Sequence, residues 1–131
     1  MRLLLDTHIW LWSLLDPAKL ARRVAKELQN SDNELWLSPI SIWETLILCR
    51  KGRLVLDKEP SAWIDKAMRA APLTEAPLTI QVALETASVR LAHRDPADCF
   101  LVATARVFDL TLVTADELLI RARQVRMLAG R

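Results

Sequence analysis

Four acidic residues fall where a chain that alternates short apolar runs with helices would carry its chemistry: Asp6, Glu44, Asp98 and Asp116. Asp6 closes the run Arg2 to Leu5, which reads as a short buried strand, and Asp116 follows a second strand, Thr111 to Thr114. Asp98 sits in the first turn of a helix opened by Asp95 and Pro96, and Glu44 in the first turns of one opened by Ser38 and Pro39. In a parallel α/β sheet, strand C-termini and the helix N-termini that follow them share one edge, where ligands bind. Carboxylates gathered there repel, by about 4 kcal/mol for two unit charges about 4 Å apart at an effective dielectric near 20. A divalent cation removes that penalty. Hard oxygen ligands without a His or Cys partner favour Mg²⁺ or Mn²⁺ over Zn²⁺, and Mg²⁺ usually keeps waters that can act as nucleophiles. Two such ions stabilise both the attacking and the leaving oxygen of phosphodiester cleavage.

Each acid taken alone has a simpler explanation as part of a helix cap. Asp98 lies three residues after Asp95, Glu44 three after Ser41 and Glu117 three after Thr114, the spacing of capping boxes that satisfy free backbone N–H groups. Glu44 resists this reading. The residues three and four positions away on its helix are Ile40, Ser41, Ile47 and Leu48, so its carboxylate is largely removed from water. A buried carboxylate without a partner takes up a proton or destabilises the fold, and no Lys or Arg occurs between Ser38 and Cys49 to compensate it. A cation or hydrogen-bond donor must reach it from elsewhere.

The elements that position these acids are legible along most of the chain. A helix over Thr7 to Leu15 follows the first strand; Asp16 and Pro17 open another, with Leu20, Val24 and Leu28 on one face, ending near Asn30 to Asn33. Glu34 to Leu37 reads as a strand. The helix from Pro39 to the Gly52 stop is apolar around most of its circumference, so it is expected to be central or covered by a second subunit. Ser61 to Ala71 and Thr79 to Leu91 read as helices, Leu73 to Ala76 as a third strand, the stretch from Pro96 through Phe108 as a helix, and Val125 to Leu128 as a last strand. Strands alternating with helices indicate a parallel sheet covered on both faces, in one domain spanning residues 1–131.

Composition supports a packed core: 52% of residues are hydrophobic, with only 2 Gly, which argues against disorder and against a loop-rich scaffold. The net charge of +2 says little about a polyanionic partner, so charge distribution matters more. Arg50, Lys51 and Arg53 form one basic cluster, and Arg121, Arg123, Arg126 and Arg131 another; both resemble ordinary solvated faces as much as phosphate sites. Cys49 and Cys99 lack the C-x-x-C spacing of redox or zinc sites and read as buried, reduced thiols. The apolar run Ile9 to Leu15 is too short to span a bilayer and no small-residue cleavage site follows, which points to the cytoplasm.

Taken together, these residues resemble the PIN-domain family, in particular the VapC-like toxins of toxin–antitoxin modules, over nearly the whole chain. The resemblance rests on Leu-Leu-Asp-Thr-His at Leu4 to His8 with Trp12 beyond, Ser-x-x-Ser-x-Trp-Glu at Ser38 to Glu44, and Lys51-Gly52-Arg53-Leu54. It continues with His-Arg-Asp-Pro-x-Asp at His93 to Asp98 and Leu-Thr-Leu-Val-Thr-Ala-Asp at Leu110 to Asp116, with Asp98 and Asp116 18 residues apart. It implies a three-layer α/β fold, a short parallel sheet flanked by helices on both faces. It also implies that Asp6, Glu44, Asp98 and Asp116 hold Mg²⁺ or Mn²⁺, that Thr114 supports them and that Asp95 is an N-cap. The implied activity is cleavage of single-stranded or looped RNA, the implied partner a cognate antitoxin that inhibits it, and the implied assembly a homodimer that associates further with that antitoxin.

Two departures stand out. Cys99 occupies a position where relatives commonly carry Arg, and the tail from Met127 to Arg131 lacks the usual closing aromatic. His8 and His93 are left outside the catalytic set, His8 being expected to pack near Trp12, because metal-bound water needs no histidine base. Two other readings compete. A phosphatase of the haloacid-dehalogenase type wants a second Asp two residues after the first, where this chain has His8, and a non-catalytic PIN-like module would use the acids only to dock a basic partner segment.

Overall fold

The computed structural model describes residues 1–92 and 95–129, so His93 and the terminal Arg131 lie outside the described residues. The elements run β1 (Arg2–Leu5), α1 (Thr7–Leu15), a 3₁₀ turn (Pro17–Lys19), α2 (Arg22–Gln29), β2 (Glu34–Leu37), α3 (Pro39–Arg50), α4 (Pro60–Ala70) and β3 (Thr74–Glu75). They continue with α5 (Ile80–Glu85), a 3₁₀ turn (Thr86–Ser88), α6 (Pro96–Val107), β4 (Thr111–Thr114), α7 (Glu117–Ala122) and β5 (Met127–Ala129).

Local chemistry sets most of these boundaries. Pro opens α3, α4 and α6 at a position whose N–H has no helical partner, and the preceding Ser38, Glu59 and Asp95 side chains accept the N–H groups of Ile40, Ala62 and Ala97. At the far end of α3, Gly52 adopts φ +72°, a left-handed conformation that costs glycine little, and Arg53 N–H returns to Leu48 O.

Three expectations about element extent need correction. The helix expected from Asp16 onward is a 3₁₀ turn followed by a separate α2, because Leu20 and Ala21 take extended angles that let Leu20 pack against the core. The helix expected over Thr79 to Leu91 is α-helical only to Glu85; Thr86 Oγ1 donates to the Ala83 carbonyl, and Val89 turns inward in an extended conformation. The last strand is shifted to Met127–Ala129, since Arg123 ends α7 in a left-handed conformation and pairing begins with Leu112 N–H to Arg126 O.

All five strands are parallel, in the order β3-β2-β1-β4-β5. Side-chain alternation divides the core. Leu4 and Leu112 pack on one face with residues of α5 and α6, while Leu3, Leu5, Leu37, Val113 and Leu128 pack on the other with α1, α2 and α4. Successive strand residues such as Leu3 and Leu4 are both fully buried, as a sheet covered on both faces requires. The three-layer α/β architecture is therefore as expected.

Of the two alternatives its apolar circumference suggested, α3 does not take the central position within the single chain. Only Ser41 and Thr45 on it are buried, and Trp43 is 51% exposed in the single chain.

Topology singles out one place on the sheet. From central β1 the chain builds β2 and β3 on one side and then β4 and β5 on the other, so the crevice at the C-terminal ends of β1 and β4 is a topological switch point.

Candidate acidic site

Asp6 and Thr114 meet at that switch point because the register pairs Leu5 with Val113, so the next residues of β1 and β4 are neighbours. Asp6 N–H continues the ladder to Val113 O at 2.9 Å. Its carboxylate is held by two donors: Thr7 N–H reaches Oδ1 at 2.7 Å and the Thr114 hydroxyl reaches Oδ2 at 2.7 Å. Asp6 thus caps α1, yet it is only 8% exposed. Burial pushes its carboxyl above the ordinary range, against the opposing effect of those hydrogen bonds and of His8, and the nearby Asp116 charge pushes it further up.

Thr114 ties Asp6 to Asp116. Fully buried at the end of β4, its Oγ1 donates to Asp6 and accepts Asp116 N–H at 3.0 Å. Asp116 is itself the N-cap of α7, accepting Leu118 N–H at 2.8 Å. The capping box expected between Thr114 and Glu117 is therefore not the one formed.

Glu44 approaches the same edge from α3. Its cap is Ser38 rather than Ser41, so the carboxylate is free for another task. Burial again raises its carboxyl; the Thr7 hydroxyl and His8 oppose this, while Asp6 and Asp95 add repulsion. The compensating donor demanded by the sequence is Thr7, whose Oγ1 hydrogen-bonds to Glu44 Oε1 and lies 2.9 Å from Ser41 Oγ.

The third acid belongs to the adjoining helix end. Asp95 caps α6 as expected, accepting Ala97 N–H at 3.0 Å, and Asp98 is buried in the first turn of α6, at the positive end of the helix dipole. Asp95 is near enough to Glu44 to raise its carboxyl, so this helix end adjoins the Glu44 side of the cluster. Asp6, Thr114, Asp116 and Glu44 are joined by hydrogen bonds or mutual charge, with Asp98 on the neighbouring helix end.

Among the described residues, no three His, Cys, Asp or Glu side chains close on one point as a ready-made metal cage. A hard, hydrated cation does not need one, because Mg²⁺ is commonly held through one or two carboxylates, with water and substrate phosphate completing its octahedron. The donor chemistry fits such an ion. Asp6 and Glu44 are two buried or half-buried carboxylates that repel each other, and among the described residues they are supported by hydroxyls, a backbone amide and His8.

Other candidates from the sequence lie elsewhere. His8 is exposed one residue beyond Thr7, with its ring 6.0 Å from Trp12 in a tilted contact. Cys49 and Cys99 are free thiols that are only partly buried, not fully as expected, and Cys99 packs against the core with its Sγ 3.7 Å from Thr86 O. Arg121 pairs with Glu117, and Arg126 pairs with Asp109 at the opposite edge of the sheet. Sequence reasoning missed Thr7 and Ser41 as individuals. The available signal was a hydroxyl directly after the strand-closing Asp6 and another one helical turn before Glu44.

A family model for the PIN domain matches residues 3–125. This chain belongs to the PIN-domain family. PIN domains are generally nucleases that use divalent metal ions. Among solved structures, the PIN chain is similar to a chain of VapBC2 from Rickettsia felis bound to a DNA fragment from its promoter, with a TM-score of 0.74 and 16% identity over 100% of both chains. It is similar to one of DNA-bound VapBC from Salmonella typhimurium, with a TM-score of 0.73 and 16% identity over 100% of this chain and 99% of that one. A chain of FitAcB from Neisseria gonorrhoeae matches with a TM-score of 0.66 and 24% identity over 98% and 97% of the two chains. At these identities the likeness is one of fold. No curated protein matches the sequence.

Proposed function

We propose that this PIN-domain chain is an endoribonuclease dependent on Mg²⁺ or Mn²⁺, and the toxin of a pair whose cognate antitoxin restrains it in the cytoplasm. The observation that carries this reading is the convergence of Asp6, Thr114, Asp116 and Glu44 on the β1/β4 switch point. Asp6 and Glu44 hold the cation, Asp98 and Asp116 complete the acidic rim, and Thr114 fixes Asp6 in place. When bound, the cation neutralises these carboxylates and offsets the charge that develops on the scissile phosphate. The chain itself supplies orientation: hydroxyl and amide donors fix Asp6 before substrate arrives, and burial keeps competing water away.

An unpaired RNA backbone can enter a crevice at the sheet edge more readily than an A-form duplex can. The partner reading draws on the VapBC and FitAcB complexes and on an apolar groove of about 280 Å³, lined in part by Trp10, Leu14, Leu28, Leu35, Ala67 and Leu73, where an apolar antitoxin segment can seat. The apolar circumference of α3, on which only Ser41 and Thr45 are buried and Trp43 is exposed, supports a second copy of the chain as a further partner, in a homodimer that binds antitoxin. The haloacid-dehalogenase alternative is disfavoured by exposed His8 at the position its mechanism reserves for Asp.

Purified chain is expected to cleave RNA with Mg²⁺ or Mn²⁺ and to stop when EDTA is added. Cleavage that persists in nuclease-free Asp6→Asn protein contradicts the assignment. Binding of a basic partner without turnover would favour a docking module instead, and hydrolysis of small phosphomonoesters with RNA left intact would favour a phosphatase. Expression in a bacterial host is expected to arrest growth, and Glu44→Gln to relieve the arrest; equal arrest by both forms contradicts the toxin reading.

A further inference from the structure

Thr7 stands at a junction that the acids alone do not explain. It is 1% exposed, it follows Asp6 directly, and its side chain leaves α1 to meet α3. Its backbone N–H holds Asp6 Oδ1, its hydroxyl hydrogen-bonds to Glu44 Oε1, and the same oxygen lies 2.9 Å from the fully buried Ser41 Oγ. One residue therefore touches both carboxylates.

A hydroxyl has one proton and two lone pairs, so Thr7 cannot donate fully to Glu44 and Ser41 at once. The half-buried carboxylate is the stronger acceptor, and a bond to it is roughly twice as strong as one between neutral groups. The Thr7 proton goes to Glu44, and the Ser41 hydroxyl donates to Thr7 Oγ1. Ser41 is in turn held in the helix wall, where its carbonyl accepts the Thr45 hydroxyl at 2.8 Å. The result is a directional chain from Ser41 to Thr7 to Glu44.

We propose that Thr7, oriented by Ser41, is the positioning residue that holds Glu44 beside Asp6 for cation binding. The inference rests on the reading of Asp6 and Glu44 as cation-holding groups. It has its own consequence: loss of the Thr7 hydroxyl weakens cation binding although no carboxylate is removed. Groups that support metal ligands in this way typically account for 10- to 100-fold in affinity.

The test is Mn²⁺ titration of the purified full chain, with free Mn²⁺ followed by electron paramagnetic resonance, alongside melting curves in EDTA that establish the fold of each variant. Thr7→Val keeps the side-chain shape and is expected to raise the Mn²⁺ dissociation constant about tenfold or more, while Thr7→Ser restores binding to within a few-fold of the original. Ser41→Ala is expected to weaken binding less than Thr7→Val, because Thr7 keeps its proton for Glu44. In RNA cleavage the Thr7→Val defect should recede at high Mn²⁺, which a general loss of structure would not allow. Equal Mn²⁺ affinity of Thr7→Val and the unmodified chain overturns the role of Thr7. Should Thr7→Val fail to fold, unchanged affinity in Ser41→Ala together with a defect in Thr7→Ser as large as that of Glu44→Gln overturns it as well. Absence of Mn²⁺ binding by the unmodified chain overturns the cation reading beneath it.

Discussion

The two edges of the sheet treat charge in opposite ways. At the strand starts, cations meet direct partners: Arg106 donates to Gln124 O at 2.9 Å, to Gln124 Oε1 at 3.0 Å and to Glu85 at 3.2 Å, while Arg126 pairs with Asp109. Arg2 lies 5.0 Å over the Trp36 ring, which stacks on Phe108 at 6.0 Å. At the strand ends, Asp6 and Glu44 are brought close enough to repel and are held by hydroxyls and a backbone amide. One edge fastens helices and connections to the sheet. The other gathers carboxylates in a poorly solvated place, a strain that suits cation binding and works against the stability of the cation-free protein.

The largest effect is expected from Asp6→Asn. RNA cleavage should fall by more than the roughly 10- to 100-fold typical of losing a supporting group, while the melting temperature in EDTA should rise because a buried charge has been removed. Loss of both activity and stability would break the contrast between the edges. At the opposite edge, Arg106→Leu should cost about 2 kcal/mol, lowering Tm by roughly 5–10 °C, and leave cleavage per folded molecule unchanged.

How far this division can be read from the sequence depends on the interaction. Asp6 and Asp116 are legible because strand ends are local features: an apolar run stops at a carboxylate, and a parallel sheet brings such ends to one edge. The caps Asp95 and Ser38 are equally local, each preceding a Pro. Apart from the family resemblance, Glu44 is legible only as a problem, a carboxylate among apolar neighbours without a cation nearby. Its partner Thr7 lies 37 residues away and is brought to it by packing of α1 against α3, which no periodicity encodes. The Arg106 cluster is illegible for the same reason, since Gln124 is a side-chain and carbonyl partner 18 residues distant. The early end of α5 depends on whether Val89 is better buried in the core or continued in a helix, a choice made by tertiary contact.

A smaller effect concerns pH. The carboxyls of Asp6 and Glu44 both titrate above their ordinary values in the folded chain, so between the ordinary and the raised values the native state holds more protons than the unfolded chain. Their contribution to stability therefore falls as pH rises through that window and stays low above it. In EDTA, the Tm of the unmodified chain minus that of Asp6→Asn should become more negative from acid to neutral pH, as differential scanning fluorimetry can follow. A difference that is flat, or of opposite slope, would show that Asp6 is not strained. The smallest effect is expected from Arg126→Ala: the Arg126 and Asp109 side chains are 65% and 83% exposed, and such a pair contributes less than about 1 kcal/mol, so chemical denaturation should barely shift.

The most direct measurement is crystallographic: a crystal of the full chain soaked in MnCl₂, with anomalous difference density calculated at the manganese edge. A peak is expected between the carboxylates of Asp6 and Glu44, and it should disappear in Asp6→Asn crystals treated identically. Density confined to other surface acids, or an Asp6 and Glu44 pair that stays metal-free while the crystal binds manganese elsewhere, would contradict a cation-dependent site at this edge of the sheet.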